Sequence, residues 1–211
     1  MRLKSGPAGR PDANHGKVVQ ENFFTTRPVE EVIEERLTPY KRMSDEELVE
    51  KMKNAPELNE DAFWPERELA VIFDLDGTLR DDRHRIHYIE EGDWESYFDA
   101  QLQDPLITET LLALTMCEVF GYKILIVTGS TREELIKEWL EKYNINYDLL
   151  CFRSPGDQTP NTLLKEQYYW EEIIHKYKTV MVFEDQDTVV KMWQDLGKHV
   201  FQVKYGQRTD F

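Results

Sequence analysis

Three short stretches of the chain are almost wholly apolar: residues 69–73 (LAVIF), 123–127 (KILIV) and 179–183 (TVMVF). Continuous apolar runs of this length are expected of strands buried on both faces of a parallel sheet. Weaker strand candidates lie at 147–152 and 199–203. Between them the apolar residues recur at helical spacing, predicting helices over about 106–120, 131–143, 162–176 and 187–196. In the second of these, Leu135, Trp139 and Leu140 share one face, and Thr131-x-x-Glu134 has the form of a capping box at its start. Strands alternating with helices predict a doubly wound α/β sheet with right-handed crossovers.

The first third of the chain reads differently. Residues 1–18 are punctuated by Gly6, Pro7, Gly9, Pro11 and Gly16 and predict a flexible tail. Residues 19–67 predict a helical extension, with Val29, Val32 and Ile33 at helical spacing after Pro28. Ser44 and Glu47 form a capping box that opens a short helix through Leu48, Val49 and Met52, and residues 54–67 read as a polar linker. The main domain is expected over 68–211.

Composition narrows the function. The 211 residues carry 26 Lys and Arg against 41 Asp and Glu, a formal net charge of −15. That balance argues against coating nucleic acid by general electrostatics, which needs a basic surface, and against an anionic membrane as partner. Two cysteines, Cys117 and Cys151, make no disulfide framework and are expected to be reduced core residues. No apolar run approaches the roughly 20 residues that span a bilayer, and residues 1–16 lack the apolar core of a secretory signal. A cytoplasmic location is expected.

In doubly wound sheets, ligands bind beyond the C-terminal ends of the strands. The residues predicted there are Asp74-Leu75-Asp76-Gly77-Thr78, Thr128-Gly129-Ser130 and Glu184-Asp185-Gln186-Asp187. Carboxylates converging on one edge repel unless a cation sits among them, and hard oxygen donors suit Mg²⁺. A strand-end carboxylate facing such a metal can attack phosphorus. A second one, two residues on, points to the same side and can shuttle the proton. Gly77 permits a sharp turn immediately after the second carboxylate.

The set Asp74-x-Asp76-Gly77-Thr78, Thr128-Gly129, Lys165 and Glu184-Asp185 resembles, in content and order, the haloacid dehalogenase (HAD) phosphohydrolase superfamily over about residues 69–211. The resemblance implies Asp74 as nucleophile, Asp76 as general acid/base, and Thr128, Gly129 and Lys165 as phosphate binders. It also implies Mg²⁺ held by Asp74, the Asp76 carbonyl and Asp185, with Glu184 nearby. Residues 151–157 (CFRSPGD), Lys165-Glu166, Trp170, residues 189–193 (VVKMW) and the Asp210-Phe211 ending resemble, more specifically, the 3′-phosphatase domain of bacteriophage polynucleotide kinase–phosphatase. That implies that Arg153 contacts substrate phosphate or the active-site carboxylates; an ordinary loop role, paired with Asp157, is the competing reading. Trp193 reads as a core residue. Bifunctional members of that family carry a kinase domain upstream. No G-x-x-x-x-G-K-[ST] occurs in the 211 residues, so neither ATP nor kinase activity is expected. Residues 23–44, with Phe23, Phe24, Arg36 and Arg42, resemble the closing part of such a kinase domain; a helical extension packed on the phosphatase is the alternative.

Residues 80–105 fall where that superfamily places a cap, giving a HAD-type α/β fold with a small insert and a helical N-terminal extension. Arg83 and Arg85 in its basic start are candidates for steering a terminal phosphate, with an aromatic of the insert stacking on a base. The expected function is a Mg²⁺-dependent phosphatase removing 3′-terminal phosphate from polynucleotides or nucleoside 3′-monophosphates. The alternatives are a phosphatase of nucleoside 5′-monophosphates or other small molecules, and a HAD-like binding module without strong catalysis. The expected partner is a phosphorylated nucleic acid end or nucleotide, without a membrane; the sequence leaves the oligomeric state open.

Overall fold

A computed structural model describes residues 44–54 and 60–204. The expectations for residues 1–43 and for the Asp210-Phe211 ending lie outside them. The described chain opens with α1 (Asp45–Lys53) and α2 (Glu60–Phe63), followed by β1 (Glu68–Phe73). An insert then runs through a 3₁₀ turn (Arg83–Arg85), α3 (Ile86–Glu90), α4 (Trp94–Asp99) and a second 3₁₀ turn (Ala100–Gln103). The remaining order is α5 (Thr108–Val119), β2 (Lys123–Val127), α6 (Glu133–Lys142), β3 (Leu149–Cys151), α7 (Asn161–Tyr168), β4 (Tyr177–Glu184), α8 (Asp187–Asp195) and β5 (Val200–Gln202). Among the described residues no helix is long and apolar enough to cross a membrane.

All five strands pair in parallel, in the order β3-β2-β1-β4-β5. The chain therefore winds outward from β1 to β3, then returns to the other side of β1 for β4 and β5. The reversal lies between β1 and β4, the position where such sheets open a crevice beyond their strand ends. Each face of the sheet has its own apolar layer. Ala70, Ile72, Leu125, Val127 and Val182 pack with Val49 and Met52 of α1 and with Trp193 of α8. Val71, Phe73, Ile124 and Ile126 pack with Leu114 of α5 and with Ile136, Trp139 and Leu140 of α6. Alternate residues of one apolar strand thus feed both layers, which explains why the runs show no polar alternation. Trp193 is fully buried, as a core residue should be. Cys117 and Cys151 are free and buried. Burial pushes the Cys151 thiol up to about 12 and raises that of Cys117, so both stay protonated.

The Ser44 capping box forms: Ser44 N–H donates to Glu47 Oε2 at 2.9 Å, and Glu47 N–H to Ser44 Oγ at 3.3 Å. Three expectations are corrected. The Thr131 capping box does not form. Helix α6 starts at Glu133, and its cap is Arg132 in the left-handed region (φ 66°) with no side-chain cap bond. Thr131 is instead buried, its carbonyl accepting from Gln101 Nε2 of the insert. The buried face of α6 is Ile136, Trp139 and Leu140, with Leu135 at its margin. The long helix expected to 176 ends as α-helix at Tyr168 and widens into a π turn over Tyr169–Ile173, which buries Tyr169, Trp170 and Ile173 together.

The supposed linker before β1 is also tied down. Arg67, its side chain 2% exposed, donates to Glu60 Oε2 (3.0 Å), Asp61 Oδ1 (2.7 Å) and the Ile174 carbonyl (2.7 Å). Glu60 Oε1 accepts from Lys198 Nζ at 2.7 Å and from the Tyr169 hydroxyl. Burial raises the Glu60 pKa, but Lys198, Tyr169 and Arg67 outweigh it and hold the carboxyl below its ordinary value. A depressed carboxyl stabilises the fold above its unfolded pKa, and that stability is lost as pH falls through the folded value. Arg67→Ala is expected to lower the unfolding free energy by about 2 kcal/mol at pH 7, and by less at pH 4. Urea denaturation at the two pH values measures both; equal losses would remove the carboxylates from the explanation.

Candidate active site

Asp74 leaves β1 with its N–H donating to the Phe183 carbonyl of β4 (3.0 Å), which keeps the two strand ends side by side. Its side chain is buried, and Oδ1 accepts from Lys165 Nζ at 2.6 Å. The same ammonium donates to Glu184 Oε2 at 2.7 Å. Glu184 ends β4, and its other oxygen accepts from the backbone N–H groups of Asp185 (3.2 Å) and Gln186 (3.3 Å). Burial pushes the Asp74 pKa up to about 6, with Glu184 and Asp76 acting in the same direction and Lys165 against it. Burial also works against the Lys165 charge, yet Asp74 and Glu184 more than offset it and the ammonium holds its proton more firmly than usual.

Asp74, Glu184 and Asp185 bring carboxylate oxygens within 4.8 Å of one another, and all three residues are buried. One ammonium does not neutralise three carboxylates. The donor set is all oxygen and carries excess negative charge, which fits a hard divalent cation.

Asp76 is fixed by a second group of charges. Its Oδ1 accepts from Arg80 Nε at 2.7 Å and from Arg85 Nη2. Both guanidiniums are fully buried. Arg85 also donates to Asp104 Oδ1 (2.8 Å) and Oδ2 (2.6 Å) and lies over the Tyr97 ring, 4.0 Å from its centroid. Arg80 reaches Gln101 Oε1 (2.9 Å) and Ser130 Oγ (3.1 Å). Gly77, at φ 84°, turns the chain between Asp76 and these arginines, its N–H donating to the Arg80 carbonyl at 2.8 Å.

A cavity of about 990 Å³ opens over the strand ends. Of the residues singled out from the sequence, Asp74, Asp76, Gly129, Arg153, Lys165, Glu184 and Asp185 line it. Thr128, Arg83 and Arg85 do not. Thr128 is buried beneath the loop, its hydroxyl accepting from Ser130 N–H at 3.1 Å. Arg83 is on the exterior, paired with Asp81 at 2.6 and 2.7 Å. Arg85 is turned inward to carboxylates. The 3₁₀ turn they share puts one outside and the other inside, so the expected steering pair is corrected to a surface ion pair and a buried clamp on Asp76. Arg153 lines the cavity but meets no carboxylate of the strand ends in the bonds it makes. It donates to the carbonyls of Gly129 (2.9 Å), Asp157 (3.3 Å) and Thr159 (2.6 Å) and to Asn161 Oδ1 (2.6 Å).

Asn161 Nδ2 in turn donates to Gln186 Oε1 at 3.1 Å, joining the start of α7 to the loop after β4. A β-carbon on Gly129 would lie 2.2 Å from Asn161 Oδ1, so the two loops touch only because residue 129 is glycine. Asp104, Asn161 and the pairing of Arg80 escaped the sequence reading. Asp104 lies 28 positions from Asp76 with no local pattern around it, and only its burial marks it.

The profile of the polynucleotide kinase PNKP phosphatase domain matches residues 68–208. A protein of Autographa californica nuclear polyhedrosis virus, named as a bifunctional polynucleotide kinase/RNA ligase, is 32% identical over 135 residues, 60% of this chain and 18% of that protein. A chain of the Pnkp1/Rnl/Hen1 RNA repair complex superposes with a TM-score of 0.60 at 34% identity, covering 67% of this chain and 44% of that one. This chain thus spans less than half of either relative. Mycobacterium tuberculosis Protein Tyrosine Kinase A, 17% identical with a TM-score of 0.52 over 69% of this chain and 88% of that one, shares the fold alone. With the profile covering more than half of its length, the chain belongs to the PNKP phosphatase-domain family, a family of HAD-type phosphatases.

Proposed function

We propose that this domain hydrolyses 3′-terminal phosphate monoesters of polynucleotides, with nucleoside 3′-monophosphates as minimal substrates. The observation that carries the reading is Asp74, buried on the cavity floor between Lys165 and the other carboxylates, in a chain of this family. Asp74, the Asp76 carbonyl and Asp185 would hold Mg²⁺, with Glu184 keeping Lys165 in place. Bound there, the metal supplies charge neutralisation for the phosphoryl group.

Asp74 attacks phosphorus as the bond to the 3′-oxygen breaks, giving an aspartyl-phosphate. Asp76 gives its proton to the departing 3′-oxygen. It then takes a proton from the water that attacks the aspartyl-phosphate, releasing inorganic phosphate and restoring the Asp74 carboxylate. Arg80 and Arg85 both grip Oδ1 of Asp76, so its plane is fixed while the proton moves. Lys165, freed of part of its pairing when Asp74 becomes an acyl phosphate, turns its charge to the phosphoryl oxygens. Arg153 is a positioning residue that holds the Gly129 loop against α7, and Thr128 stiffens that loop from below.

Asp74→Asn is expected to reduce phosphate release by roughly 10³-fold or more while leaving the thermal midpoint near that of the parent, because an amide is a poor nucleophile. Release near the parent rate would sink the covalent mechanism. A panel of 3′- and 5′-phosphorylated oligonucleotides and mononucleotides tests the substrate: 3′-ends should be favoured, and preference for nucleoside 5′-monophosphates would replace the reading.

EDTA should stop turnover and added Mg²⁺ restore it. Asp185→Ala should raise the Mg²⁺ concentration for half-maximal rate by about tenfold or more. An unchanged requirement would take Asp185 out of the metal site.

A further inference from the structure

Among the described residues, three cationic side chains line the cavity: Lys165, Arg153 and Arg132. Lys165 is buried between Asp74 and Glu184, and Arg153 is occupied by carbonyls and Asn161. Arg132 differs from both. Its side chain is 36% exposed and is held by two carboxylates of the insert, Asp99 (Nε to Oδ1, 3.0 Å) and Glu95 (Nη2 to Oε1, 3.5 Å), themselves 57% and 81% exposed. Ion pairs this exposed are weak and readily exchanged for a better anion. The backbone at Arg132 is left-handed (φ 66°), a conformation that costs a non-glycine residue energy and that gathers at functional positions. Next to Glu95 stands Trp94, which also lines the cavity and is half exposed, its indole edge-on to Tyr97 at 6.0 Å.

We infer that Trp94 and Arg132 form a nucleotide subsite beside the reacting centre, in which the base of the penultimate nucleotide stacks on Trp94 and the internucleotide phosphate pairs with Arg132. The subsite rests on the phosphatase reading above and deepens it. A mononucleotide has no internucleotide phosphate, so the subsite selects a polynucleotide end over a nucleoside 3′-monophosphate. An aromatic face accepts any base, so the selection is for chain and not for sequence. Arg132 exchanges Asp99 and Glu95 for the phosphate, and those two carboxylates compete with the substrate for it.

The test compares kcat/KM for a 3′-phosphorylated trinucleotide, in DNA and RNA versions, with that for the corresponding nucleoside 3′-monophosphate. Arg132→Asn keeps a residue that tolerates the left-handed backbone and removes the charge. It should lower the trinucleotide-to-mononucleotide ratio by about fivefold to tenfold, with Arg132→Lys retaining part of it. Trp94→Ala should lower the ratio by about tenfold and Trp94→Phe by less. Asp99→Asn should act the other way and lower the KM for the trinucleotide, which an architectural latch would not do. For a single-stranded ligand the loss of one phosphate contact should also reduce the slope of log affinity against log salt by about 0.7. A ratio left unchanged by both Arg132→Asn and Trp94→Ala, or equal losses on both substrates, would overturn the subsite. If the parent releases phosphate from no 3′-end, the phosphatase reading fails. Fluorescence anisotropy with the same trinucleotide then decides the subsite alone: weaker binding by both variants supports it, and equal binding overturns it.

Discussion

Asp74 and Glu184 follow each other across neighbouring parallel strands, and the β1–β4 register brings their carboxylates onto one ammonium. Lys165 is what makes that juxtaposition tolerable. At an effective dielectric near 20, each contact of 2.6–2.7 Å is worth on the order of 5 kcal/mol of Coulomb attraction, enough to offset much of the cost of dehydrating the three groups. The requirement propagates outward. The ammonium is delivered from α7, so α7 must be set against the strand ends to within a fraction of an ångström. The bonds from Arg153 to Asn161 and from Asn161 to Gln186 do that, by tying the helix start to the loops after β2 and β4.

The second carboxylate of the motif carries a different load. Asp76 shares Arg80 and Arg85 with Asp104, and Asp104 closes the insert. The Asp104 carbonyl also accepts from the Trp139 indole of α6 at 2.9 Å. Orienting Asp76 and folding the insert are therefore one problem, solved by two buried arginines shared between a part-buried and a buried aspartate. A pair of arginines with no exposed surface is a costly way to hold a loop. It is understandable where one carboxylate oxygen beside the cavity must keep a single direction.

The sheet was legible in the sequence because strands buried on both faces leave a plain apolar trace. The observed β2 coincides with the expected residues 123–127, and β1 and β4 differ only by extension at their ends. The strand-end acids were legible for a related reason: doubly wound topology puts C-terminal strand ends on one edge, so local motifs could be combined without knowing the structure. What stayed hidden depends on partners distant in sequence. Nothing near Arg83 and Arg85 says which of them faces inward; that is decided by Asp104, about 20 positions on. The Thr131 capping pattern had the right residues, but burial of Thr131 against the insert won over a cap worth about 1 kcal/mol. Arg132 left no pattern at all, since its interest lies in a backbone angle and in two acids of the insert.

Gly129 sets a distance by having no side chain. Its α-carbon rests against Asn161, one helical turn before Lys165 on the same face of α7. A β-carbon there would lie 2.2 Å from Oδ1 of the Asn161 side chain, so that side chain would have to turn away and give up its bonds with Arg153 and Gln186. Position 129 thus works as a mechanical gauge: alanine would loosen the tie between the start of α7 and the loops after β2 and β4, without touching Asp74 or Lys165.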